Sequence, residues 1–375
     1  MLAAVPRQGG ATWAVLQYLL GFRRLGYQVV FVEEIEPAAL QPTSDVPLAR
    51  SENAAYFLQV LAELGLAESA ALRLAGTAET VGLPYPRLLA AARQAELLVN
   101  CSGLLRDPAL IADIPLRVYL DMDPAFTQLW HAAEGIDMRF DGHNRFVTVG
   151  LAVGQPDCPV PTCGLDWITT PPPIVLDAWP VAERIHYPGL TTVANWRGYG
   201  SVDQGGVFYG QKVHSLRPLM ELPARTDVPF LLALAIHPRE ERDLAALRAH
   251  GWRLLDPAAV ADTPARYRSF VQGSWAEFGV AKSGYVAARC GWFSDRSVCY
   301  LASGRPVLAQ ETGFSRFLPT GEGLLPFQTA EDVLAAIELL RHDYARHARA
   351  ARALAEACFA SDQVLDRLLR RLGAR

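Results

Sequence analysis

Three carboxylates and a histidine sit where the chain changes from one regular element to the next. Asp121-Met122-Asp123-Pro124 closes an apolar run, and Asp141-Gly142-His143 precedes another. A carboxylate or imidazole poised near neutral pH can take the proton of an attacking hydroxyl, so Asp123 and His143 are the catalytic candidates. Each has an ordinary alternative, since Asp before Pro caps turns and a Gly-His-Asn turn needs no chemistry. Lys212 and Lys282 are the only lysines among 35 basic residues. Lysine is a compact point charge and not a substitute for arginine at a phosphate. With Arg197 in Asn195-Trp196-Arg197-Gly198, they are the candidate cations for an anionic group. The densest block runs from Gly291 to Gly313. Its polar turn Ser294-Asp295-Arg296-Ser297 opens a helix predicted over 296–303, and the unpaired amides at such a start attract anions.

Around these residues the chain alternates between strand and helix patterns. Residues 2–5 and 27–32 read as strands flanking a helix over 11–25, with Gly9-Gly10 in the first turn bringing backbone close to a sheet edge. Helices are expected at 53–64 and 85–95 and strands at 96–100, 117–121 and 145–149. Asn100-Cys101-Ser102-Gly103 then forms a second backbone turn at that edge. Residues 155–188 hold eight prolines and little periodicity, which predicts a semi-rigid crossing between two halves. A second series follows, with strands at 191–194, 230–236, 253–255, 291–293 and 306–309. Helices are expected at 213–222, 239–250, 264–272 and 330–340, and the tail over 344–372 reads as a helix or helix pair. Two successive series predict two facing doubly wound α/β domains, 1–180 with 344–375 and 181–343.

The order strand, polar turn, helix, Ala302-Ser303-Gly304-Arg305-Pro306-Val307, then Glu311-Thr312-Gly313 resembles the donor-binding region of GT-B glycosyltransferases. Gly321-Glu322-Gly323 followed by an apolar strand and helix, and Gly9-Gly10 near the start, are similar to other parts of that fold. The resemblance implies a GT-B fold whose last helix crosses back to the N-terminal domain. It implies a nucleotide-diphosphate sugar on Arg197, Lys212, Lys282 and residues 294–297, with Glu311, Thr312 and Gly313 near the sugar or nucleotide. The acceptor would lie against the N-terminal half near Gly9, Gly10, Ser102 and Gly103. Cations would stand in for a metal, and no cofactor is expected. The chain departs from the retaining Glu-x7-Glu pattern, since Gly291 and Cys299 occupy those positions. An epimerase on the same scaffold and a non-catalytic nucleotide-sugar-binding module are the rival readings.

Composition narrows the field further. Of 375 residues, 51% are hydrophobic and 20% charged, which excludes a disordered or fibrous chain. The formal charge of −4 provides no basic field for nucleic acid. No apolar run is long enough for a membrane span, and the opening residues lack the pattern of a secretory signal. Six scattered cysteines fit a reducing, cytoplasmic setting. Asp121 and Asp123 match an Asp-x-Asp string formally, but Cys158 and Cys163 lack a matching second pair, and no metal site is expected. A Walker loop and a Gly-x-Ser-x-Gly elbow are both missing from the sequence.

Overall fold

A computed structural model describes residues 1–374. The first half is built on four parallel strands, Leu97–Cys101, Leu116–Asp121, Arg145–Thr148 and Trp167–Thr169, paired in chain order. Phe31–Ile35, Ala70–Leu74 and Thr80–Gly82 form a smaller sheet, its first pair parallel and its second antiparallel. The second half carries six parallel strands. They lie in the order Arg253–Leu255, Phe230–Ala235, Tyr187–Asn195, Ser274–Gly279, Val307–Gln310, Leu324–Phe327. Succession therefore runs outward in both directions from a crossover between Tyr187–Asn195 and Ser274–Gly279. Crossover helices diverge at such a point, and doubly wound sheets bind ligands at the carboxyl ends of the two central strands beside it.

Several expectations are corrected. Residues 2–5 are not a strand: the amides of Leu2, Ala3 and Ala4 fold onto the buried Glu33 carboxylate at 2.9–3.1 Å. The strand expected at 27–32 is displaced to Phe31–Ile35, which carries that glutamate. Residues 291–293 are not a strand either, because Gly291 has φ +73° and the segment makes one isolated bridge, to Gly150. The strand that fills this place in the sheet is Ser274–Gly279, whose buried Glu277 interrupts the apolar run by which strands are read. The proline-rich stretch is more than a linker, since Trp167–Thr169 adds the fourth strand of the first sheet.

The tail is two helices, Tyr344–Cys358 and Ser361–Leu372. Val364, Leu365, Leu368, Leu369 and Leu372 form one apolar face, at the spacing that burial of a helix requires. That face packs on Tyr18, Phe22, Val118, Leu120 and Val147, so the chain ends by crossing back to the first half. A continuous core also joins Leu2, Trp13 and Leu16 to Phe293, Val298 and Leu301. Among the described residues no helix is long and apolar enough to cross a membrane. Leu369 is fully buried, so Leu369→Ala is expected to cost about 2–5 kcal/mol of stability, read from urea unfolding.

Candidate functional site

The turn after Leu116–Asp121 is built around Asp121, which is fully buried. Its carboxylate accepts from the Asp123 amide at 2.9 Å, Thr127 Oγ1 at 2.7 Å, Gln128 Nε2 at 2.8 Å and Thr148 Oγ1 at 2.7 Å. Burial pushes its pKa up, and the hydrogen bonds from Gln128, Thr148 and Thr127 oppose that rise. With its oxygens committed to these donors, Asp121 acts as the brace of the turn and not as half of a metal-ligand pair. The brace holds Ala125 at φ +72°, a conformation unusual for a residue with a side chain. Asp123 is thereby presented at the seam between the halves.

Across the seam stands Lys282, immediately beyond the fourth strand of the second sheet. Its ammonium donates to both oxygens of Asp123 at 3.0 Å and to the Tyr199 hydroxyl. The Tyr285 hydroxyl donates to Asp123 Oδ1. The rings of Tyr199, Phe126 and Tyr285 lie 3.9, 4.7 and 5.1 Å from the ammonium, at cation–π range. Burial lowers the Lys282 pKa while Asp123 pulls it back up. Gly284 permits this approach, because a Cβ there would lie 2.5 Å from the Phe126 ring. Trp130 backs the box, its ring 4.7 Å from that of Tyr199.

Lys212 opens the helix Lys212–Leu216 and donates to the Val280 carbonyl, on the same side of the crossover. Burial and the nearby charge of Arg296 hold its pKa well below the ordinary lysine value. Arg296 itself is a strut: Nε donates to Glu277 Oε1 at 2.6 Å and Nη1 to the Val193 carbonyl at 3.1 Å. Although burial opposes it, Glu277 keeps that guanidinium charged. Glu277 Oε2 is buried without a hydrogen-bond partner.

The other expected residues divide. Ser294 precedes the helix Asp295–Ala302 without capping it by its side chain, and both Ser294 and Ser297 are buried. The head of that helix faces the first half: Asp295 lies within electrostatic reach of the chain's amino terminus and of Tyr18. Burial raises the Asp295 pKa, while its own first-turn amides stabilise the charged form. Thr312 donates to the Trp292 carbonyl at 2.5 Å, and Gly313, at φ +93°, leaves room for the Arg289 carbonyl. Thr312 and Gly313 thus fasten the loop that precedes Ser294, and Glu311 accepts from the Gly313 amide at 2.5 Å within its own turn.

Four expectations are not met as stated. Arg197 does not join the lysines; it pairs with Glu240 on a half-exposed surface. Gly9 and Gly10 admit protein and not ligand, since Cβ atoms there would lie 2.2 Å from the Thr263 carbonyl oxygen and 2.9 Å from the Tyr267 ring. Ser102 and Gly103 form a left-handed turn at the end of Leu97–Cys101, Gly103 lying against Arg139 and Tyr119. His143 has both ring nitrogens engaged in its own half, Nδ1 with the Phe140 carbonyl at 3.2 Å and Nε2 with Asn100 Nδ2 at 3.0 Å. Donation from Nδ1 and acceptance at Nε2 define a neutral tautomer, and burial lowers the pKa in the same sense.

Sequence reasoning missed Tyr199, Tyr285 and Glu277. Only the second carried a signal, as the aromatic that follows Lys282-Ser283-Gly284. Around Asp123 the seam is packed, Phe126, Leu129 and Val153 meeting Val202, Tyr209 and Ala288. A cavity of about 270 Å³ lies farther along it, between residues 169–171 and 317–318, and one of about 290 Å³ lies beside Arg184 and Arg268.

No protein-family profile matches the chain, and no curated protein matches it in sequence. Solved structures do match in shape. An alpha-glucosyltransferase in complex with UDP superposes with TM-score 0.60 at 11% identity, covering 100% of this chain and 98% of that one. HepE from Anabaena, in complex with UDP and glucose, gives TM-score 0.52 at 11% identity over 85% and 89% of the two chains. Sucrose-phosphate synthase from Thermosynechococcus elongatus gives 0.50 at 15% identity over 97% and 94%. The chain has the GT-B fold. In a GT-B chain the two halves face each other along the seam that Asp123 and Lys282 span.

Asp121→Ala would strip an acceptor from three buried donors and the half-buried Asp123 amide, each buried donor costing about 1–3 kcal/mol when left unmade. The variant is expected to lose about 3 kcal/mol or more in urea unfolding; an unchanged midpoint would show that the turn is held by other means.

Proposed function

We propose that this chain is a glycosyltransferase that moves a sugar from a nucleoside-diphosphate donor to an acceptor hydroxyl at the seam, without a metal. Residues 181–343 take the donor, and residues 1–180 with the crossing tail take the acceptor. The observation that carries the reading is the meeting of Lys282 and Asp123 beside the crossover of a six-stranded doubly wound sheet. Lys212 and Lys282 bring two ammonium groups to that edge, each destabilised by burial, and a diphosphate would relieve them. In a site shielded from water such charges stabilise a leaving diphosphate as its bond to the sugar breaks. Asp123 is the carboxylate placed to receive the acceptor proton. The unpartnered oxygen of Glu277 is an acceptor for a donor hydroxyl, in a chain that lacks the Glu-x7-Glu pair.

Incubation with UDP-, GDP- and TDP-sugars tests the reading. Free nucleoside diphosphate formed in step with a glycosylated acceptor is expected. An isomerised sugar would make the chain an epimerase, and thermal stabilisation without turnover a binding module. Lys212→Ala and Lys282→Ala should each weaken binding of the nucleoside diphosphate about tenfold or more, since each removes a charge-assisted hydrogen bond.

The pH dependence has a defined sign. Both lysines lie below the ordinary value of 10.5 in the free protein, and a bound anion raises them. Binding therefore takes up protons on the alkaline side, and affinity falls as pH rises through the free-state lysine values. Calorimetry in buffers of different ionisation enthalpy reads this uptake directly.

A further inference from the structure

Lys282 cannot give its ammonium fully to a diphosphate while Asp123 holds it through both carboxylate oxygens. The three donors of an ammonium group are already committed to Asp123 Oδ1, Asp123 Oδ2 and Tyr199 Oη. Asp123, for its part, has one oxygen on Lys282 and Tyr285 together and the other on Lys282. In this state neither group is free for chemistry. The contact joins residues 159 positions apart in the chain, one in each half. Asp123 is anchored from both sides, by the Asp121-braced turn and by the Tyr285 hydroxyl. Lys282, by contrast, is tethered by its charge contacts and by rings that would hold it equally well in a slightly different place.

We propose that Lys282 is an exchangeable partner: it occupies Asp123 in the empty protein and swings to the diphosphate when a donor binds, releasing Asp123 as a base only then. The proposal rests on the glycosyltransferase reading above. The exchange makes Asp123 and the donor competitors for one ammonium. The carboxylate that would activate a hydroxyl stays occupied until a donor is in place. Tyr285 is a positioning residue here, keeping the freed carboxylate on the seam. The ammonium leaves the Tyr199 hydroxyl in the same movement, and the Tyr199 ring, 4.7 Å from that of Trp130, makes Trp130 a reporter of the exchange.

Competition fixes the sign of a test. Asp123→Asn removes the charge that competes for Lys282, so UDP or GDP should bind more tightly by about fivefold or more in calorimetry, the scale of an ordinary coupling between sites. Transfer should be lost in the same variant. Lys282→Met combined with Asp123→Asn should show no such gain, because the shared partner is gone. If the Asn variant does not fold, Tyr199→Phe removes the other oxygen on Lys282, keeps the ring, and carries the same sign. In the wild-type protein the nucleotide should also change the Trp130 emission, and Trp130→Phe should abolish that change. Wild-type binding with equal or weaker binding by Asp123→Asn and by Tyr199→Phe overturns the exchange but leaves the glycosyltransferase reading intact. Failure of the wild-type protein to bind any nucleoside diphosphate overturns both.

Discussion

A buried lysine opposite an aspartate from the other half is the constraint around which this molecule is arranged. Desolvating an ammonium and a carboxylate is costly, and the pair is retained only where further contacts offset that cost. Here the offset comes from two tyrosine hydroxyls and a box of aromatic faces around Lys282. Everything near the box serves its geometry. Asp121 sets the turn that carries the carboxylate, the strand crossover sets the point where the lysine emerges, and Gly284 lets the two halves close to ring contact.

The second charged pair has a different purpose. Arg296 and Glu277 join the helix Asp295–Ala302 to the central strands of the larger sheet, and the guanidinium reaches a carbonyl of the first strand as well. A bidentate planar group suits such bracing, whereas a point charge on a flexible stem suits exchange between partners. This division explains why the two lysines of an otherwise arginine-rich chain both lie at the crossover. Arginine supplies the strut, and lysine the charge that the proposed exchange would move.

Much of the architecture was legible because periodicity survives in elements that are apolar on one side. The strands around Val99, Val118 and Leu232 and the helices over 264–273 and 330–342 were found where apolar spacing was strong. The strand Ser274–Gly279 was not, because Glu277 within it is matched by a partner nineteen residues away that no local pattern shows. Residues 291–293 imitate a strand in composition, yet a left-handed glycine bends them across the seam. Of the candidate residues, Asp123 and Lys282 meet, and Lys212 reaches the backbone two residues before Lys282. Arg197 and His143 do not join them, because Glu240 and Asn100, brought to them by tertiary folding, and the Phe140 carbonyl of the same turn claim them. At the glycine pair 9–10, expected to bring backbone to a ligand, what approaches is the Thr263 carbonyl of the opposite half.

The scarcity of lysine at this seam has a chemical corollary. Apart from the amino terminus, Lys212 and Lys282 carry the only primary amines in the chain, and both are largely withdrawn from water. Reductive methylation therefore places its side-chain labels at the seam alone, and methyl groups installed there would act as isotopic sentinels of how often the two lobes part.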